Sequence, residues 1–147
     1  MREISTSVQI RAPADRVWSL LVDFASYPSW NPFIREIQGD PLTGHRLRVR
    51  MCEEGGSEMT FRPRVLVSQP GQELRWLGRL GIPGLFDGEH RFVIAPSEGG
   101  VTFTQSEAFR GLLVPLLWKR LNRGTRPMFS RMNEALRARA EQSDPPS

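Results

Sequence analysis

The sequence predicts an α+β fold: a curved antiparallel sheet of about seven strands, covered by one long C-terminal helix. Two observations carry this. From residue 34 to 110 apolar side chains recur with a period of two, interrupted by turns rich in Gly and Pro. From residue 112 to 140 they recur at helical spacing instead. A sheet with one apolar face must bury it, and the last helix is the element available to do so.

The elements follow in order. Residues 3–11, EISTSVQIR, alternate, with Ile4, Thr6, Val8 and Ile10 on one face of a strand. In APADRVWSLLVDF, Pro13 suits the first turn of a helix, and Val17, Leu20, Leu21 and Phe24 follow at helical spacing. ASYPSWNPF carries two prolines and reads as a tight connection with a short helix at most. HRLRVRM places Leu47, Val49 and Met51 on one face and Arg46, Arg48 and Arg50 on the other, before EGGS turns the chain at 54–57.

MTFRPRVLV then reads as one strand, with Met59, Phe61, Val65 and Val67 facing inward. A turn at Pro70 and Gly71 sets Val67 opposite Leu74 and Val65 opposite Trp76. Pro63 would face Gly78 in that register; it has no N–H to give, which predicts a bulge or distortion there. GIPGLFDG is a loop. GEHRFVIAPSEGGVTFTQSEAF, residues 88–109, folds back over SEGG, so that Ile94 faces Phe103, Phe92 faces Gln105 and His90 faces Glu107. Leu113, Leu117, Leu121, Met128, Met132 and Leu136 stripe the final helix, and Pro127 beside Gly124 predicts a kink. One domain is expected over residues 1–141, with 142–147 a disordered tail.

The composition, 39% hydrophobic and 24% charged over 147 residues, is that of an ordinary globular protein. No apolar run reaches the roughly 20 residues of a membrane span, and the N-terminus lacks the apolar stretch of a secretory signal. A single cysteine, Cys52, excludes an internal disulfide. Together these predict a cytoplasmic protein. The net charge of +4 comes without any basic block, which argues against nucleic acid as a partner.

His45 and His90 are the only histidines and lie too far apart to suggest a zinc site, so no metal is expected. Cys52 should point outward as an ordinary thiol. GIPGLFDG lacks the strand-to-helix setting of a phosphate cradle, and no cofactor is implied. Arg46, Arg48, Arg50, Arg62, Arg64, Arg75 and Arg79 could form a basic outer face across three strands. Such a face is either solvated, eased by Glu53, Glu54, Glu58 and Glu89, or a peripheral docking surface for an anionic membrane. The oligomeric state is left open.

The order of elements resembles the START-like, or SRPBCC, superfamily of helix-grip proteins. APADRVWSLLVDFASYPSWNPFI, LRW.G at 74–78, GEH.F at 88–92, TFTQSEAFRG at 102–111 and MNEALRARAE at 132–141 carry the likeness. They look most like the bacterial branch described as polyketide cyclase/dehydrase-like. The resemblance implies a sheet gripping the C-terminal helix, with a cavity between them for a small hydrophobic ligand such as a lipid or polyketide. It implies equally a cyclase or dehydratase, or a quinone- or lipid-handling accessory protein, since the fold alone does not choose.

On this reading Trp76, Phe92, Phe103, Met59 and Phe61 are candidate cavity lining, though each could be plain core. Trp30 is either an anchor for the short helix or a cap on one end of the cavity. His90, Gln105 and Glu107 fall on the face where a core should be. They are read as the polar end of the pocket, as a buried pair that satisfies its own hydrogen bonds, or, for His90 and Glu107, as an acid/base pair.

Overall fold

A computed structural model of the chain describes residues 1–53 and 56–142. The strands are β1 (Arg2–Ile10), β2 (Ile34–Gln38), β3 (Arg48–Cys52), β4 (Glu58–Phe61), β5 (Arg64–Gln69), β6 (Glu73–Arg79), β7 (Asp87–Ser97) and β8 (Gly100–Arg110). The helices are α1 (Ala14–Val22), α2 (Tyr27–Trp30) and the long α3 (Val114–Glu141), with a 3₁₀ turn at Phe24–Ser26. One sheet has the order β1-β8-β7-β6-β5 and the other β2-β3-β4, with antiparallel neighbours throughout.

The predicted α+β architecture stands, with one correction that adds a strand. MTFRPRVLV is not one strand: Arg62 and Pro63 divide it into β4 and β5, which belong to different sheets. Proline has no N–H for a ladder, so pairing stops there. The Pro63 carbonyl still accepts from Leu47 N (2.8 Å), while Val65 N donates to His45 O (2.9 Å). These bonds stitch the two sheets together at the break.

The register beyond it also needs a correction. Gln69 pairs with Glu73, so the loop holds three residues, Pro70 to Gln72, with Gly71 at a φ of 75°. Val67 therefore faces Arg75 rather than Leu74. A bulge between Val65 and Val67 takes up the extra residue and returns Val65 to Trp76, as expected. The β7–β8 hairpin has the predicted register throughout, with Ser97 opposite Gly100.

Pro13 sits one position earlier than expected, as the N-cap of α1, and its carbonyl accepts from Val17 N (3.2 Å). Trp30 packs edge-on against Tyr27 at 5.1 Å and donates to Ser26 Oγ (3.1 Å), the anchoring role for α2. α3 runs through Pro127 as one element, although Pro127 cannot donate to the Arg123 carbonyl. Cys52 is a free, half-buried thiol, and its neighbour Met51 rather than Cys52 lines the cavity described below. Of the EGGS turn, Glu54 and Gly55 lie outside the described residues, as do 143–147 of the expected tail.

Four of the seven outer arginines, Arg48, Arg50, Arg75 and Arg79, meet carboxylates. Arg48 and Arg50 pair with Glu36, Arg50 also with Glu58 (3.0 Å), and Arg79 with Asp87. Arg75 and Arg91 converge on Glu73 (2.6 and 3.2 Å). Partial burial raises the Glu73 carboxyl's pKa, but hydrogen bonds from Arg91 and Arg75 overcome this and hold it below the usual carboxylate range. The expected face is therefore divided between two sheets and compensated in part.

The core lies between the five-stranded sheet and α3. Ile4, Leu74, Phe92, Phe103, Phe129, Met132 and Leu136 are fully buried there. Among the described residues no helix is long and apolar enough to cross a membrane.

Candidate functional site

Packing fills only part of the space under α3. Its C-terminal half contributes buried Met128, Phe129, Met132 and Leu136, which close against the sheet. Its N-terminal half stands over a cavity of about 720 Å³. Leu117 and Leu121 line the helix side, Met51, Met59 and Phe61 come from β3 and β4, and Trp76, Glu107 and Phe109 come from the large sheet.

Two glycines help to keep that space open. Gly78 and Gly88 face each other on β6 and β7, two pairs along from Trp76 and His90 on the same face, and both line the cavity. Inward-facing side chains at these positions would occupy the floor. Asn31 shapes another wall: its Oδ1 accepts from Phe33 N (2.9 Å) and Ile34 N (2.8 Å), fixing the turn that presents Phe33 to the cavity.

The predicted site residues divide into two groups. Trp76, Met59, Phe61 and Glu107 line the cavity. Phe92 and Phe103 are fully buried core, and His90 and Gln105 lie buried outside the lining. Both polar residues are nonetheless joined to Glu107. His90 Nδ1 is 3.6 Å from Glu107 Oε1, and His90 Nε2 is 2.9 Å from Gln105 Oε1. The Glu107 side chain is 16% exposed, while that of His90 is fully enclosed.

The connection continues into α3 and β1. Gln105 Nε2 donates to Asn133 Oδ1 (2.8 Å) and to the Phe129 carbonyl (3.4 Å), and Asn133 Nδ2 donates to Thr6 Oγ1 (2.8 Å). Thr6 was placed on the inner face by its strand pattern, but sequence reasoning missed Asn133. Its signal was the interval from Phe129, four residues or one helical turn back, which puts an amide on the buried side of α3. Gly78 and Gly88 were visible only as parts of motifs.

His90 is boxed in by aromatic rings, with centroids at 4.6 Å (Phe92), 5.0 Å (Phe129), 5.4 Å (Trp76) and 6.3 Å (Phe33). Glu107 is its one ion-pair partner among the described residues. The same residues contain no cluster of three His, Cys, Asp or Glu able to hold a metal ion. His45 lies apart at the surface, 3.9 Å from Asp40.

An antiparallel sheet closed on a long C-terminal helix, with a cavity under the helix, defines the START-like or SRPBCC class. The chain belongs to the family described as polyketide cyclase / dehydrase and lipid transport, which matches residues 1–141. No curated protein matches it. A START superfamily protein from Mycobacterium smegmatis is similar, with 23% identity and a TM-score of 0.70 over 95% of this chain and 97% of that one. The di-domain ARO/CYC StfQ from the steffimycin biosynthetic pathway has 14% identity and a TM-score of 0.76, over 95% of this chain and 50% of that one. Protein CV1439 from Chromobacterium violaceum has 18% identity and a TM-score of 0.70, over 96% and 98%. At these identities the likeness is one of fold.

Proposed function

We propose that the protein binds a small hydrophobic molecule in the cavity beneath α3, with Glu107 as the polar contact in an otherwise largely apolar wall. The observation that carries this reading is the cavity itself. About 720 Å³ lies within the range of small-molecule sites, and Trp76, Phe109, Met59 and Phe61 line it together with the partly buried Glu107 of β8, while Glu53, Arg79, Lys119, Arg120 and Arg123 supply further charged lining. His90 and Gln105 act from behind: they hold Glu107 and touch no ligand themselves. Phe92 and Phe103 support the floor as core.

Native mass spectrometry of the purified protein, followed by denaturing analysis of whatever is released, tests this. A co-purified apolar molecule is the expected result. An empty protein whose melting temperature is unmoved by long-chain fatty acids, quinones and aromatic ketones would overturn it.

A second reading makes the chain a cyclase or dehydratase using the same cavity. The contact between His90 and Glu107 at the wall favours it, because a carboxylate beside an imidazole can take a proton and return it. On that reading Glu107→Gln abolishes turnover while ligand binding largely survives. The lipid-handling alternative needs docking to an anionic surface. The paired outer arginines support it less than the sequence suggested, and salt-sensitive binding to anionic vesicles is its test.

A further inference from the structure

The hydrogen bonds behind Glu107 have one consistent direction. The Phe129 carbonyl can only accept, so the Gln105 amide nitrogen faces it, and that same NH₂ donates to Asn133 Oδ1. Asn133 Nδ2 is then left to donate to Thr6 Oγ1, whose own hydrogen points at the Gln105 main-chain carbonyl (3.4 Å). Gln105 Oε1 faces His90 Nε2 and, being an acceptor, requires a hydrogen on that nitrogen.

A neutral imidazole protonated on Nε2 carries only a lone pair on Nδ1. Nδ1 is buried with no hydrogen-bond partner, and Glu107 Oε1 lies 3.6 Å away. Lone pairs of an ionised carboxylate and a bare ring nitrogen repel across that gap. One proton between them turns the contact into an attraction.

We propose that His90 and Glu107 hold one proton between them, and that Glu107 is the group through which the cavity exchanges a proton with a bound apolar molecule bearing a weakly acidic C–H or O–H. The exchange rests on the ligand-binding reading above; the shared proton does not. Glu107 Oε1 faces His90, while Oε2 lies over Gly88 in the cavity wall. Oε2 is the catalytic atom and His90 a positioning residue, its ring turned by Gln105, Asn133 and Thr6.

With the probe 5-nitrobenzisoxazole the step balances without a co-reactant. The ring C–H proton passes to Oε2, its electron pair completes the nitrile, and the N–O bond breaks with its pair leaving on the phenolate oxygen. Glu107 then returns the proton to water.

The test has two arms. Nitrogen NMR of ¹⁵N-histidine-labelled protein reads the pair in the empty protein, with a His45→Gln variant assigning the two histidines. Both ring nitrogens of His90 should carry or share a proton, and Glu107→Gln should leave the ring protonated on Nε2 alone. A neutral wild-type ring protonated on Nδ1, or a signal unchanged by Glu107→Gln, overturns the shared proton.

Elimination of the probe should exceed the buffer rate and fall by about tenfold or more in Glu107→Gln. Equal rates in the two proteins, or no elimination, overturn the exchange step. Gly88→Ala, which keeps both ionisable groups but takes the space of Oε2, should lower the elimination rate in the same way and guards against misfolding of the first variant. Binding is read separately by native mass spectrometry, so failure of the ligand reading and failure of the pair are distinguishable.

Discussion

A Cβ at Gly88 would fall 2.5 Å from Oε2 of Glu107. The carboxylate rests on bare backbone, and the absence of one side chain on β7 is what lets its neighbour on β8 keep this position. Because the atom that would clash is the end of a flexible side chain, it can swing aside at little cost. Gly88→Ala should therefore leave stability within about 1 kcal/mol of wild type, while weakening any ligand held by Glu107. Urea denaturation and ligand titration on the same samples check the two halves.

Gln105 and Asn133 form the buried joint between β8 and α3. Replacing either by Leu orphans the other's polar groups, and each orphan costs about 1–3 kcal/mol. The double replacement removes both partners and should cost less than the sum of the single ones. A double-mutant cycle on urea midpoints measures the difference; strict additivity would mean that the bond carries no coupling.

Tyr27 is fully buried, and its hydroxyl donates to the Leu21 carbonyl. Burial, helped by nearby Asp23, pushes its pKa well above the ordinary value. The folded state then holds the proton more tightly than the unfolded one. The resulting stability is fully present below the unfolded value of about 10 and is lost as pH rises beyond it. Above that point wild type should lose up to about 1.4 kcal/mol per pH unit more than Tyr27→Phe, as read from denaturation midpoints between pH 8 and 11.

How far the sequence could be read depends on how local each signal was. The His90–Glu107 register followed from a tight turn at SEGG and unbroken alternation on both sides. The Val67–Leu74 pairing failed because a third loop residue and the bulge after Val65 cancel each other, and an alternating pattern cannot register two errors of opposite sign. Phe92 and Trp76 lie on the same face with the same chemistry, yet only Trp76 borders the cavity. What separates them is where α3 comes down, which is a long-range matter. For the same reason Asn133 could not be joined to Gln105, 28 residues away, before the helix was placed.

The missing hydrogen bond at Pro127 also falls at a telling point along α3. It separates the segment bordering the cavity, where Leu116 is 81% exposed, from the segment bearing Phe129 and Asn133. A guest could be admitted by fraying the outer turns while the anchored ones kept hold of the amide of Gln105. Amide hydrogen exchange would show this as faster turnover over 116–126 than over 129–140; uniform protection along α3 would contradict it. On that expectation Pro127 acts as a fuse line, confining breathing of the helix to the half that carries none of the histidine's scaffolding.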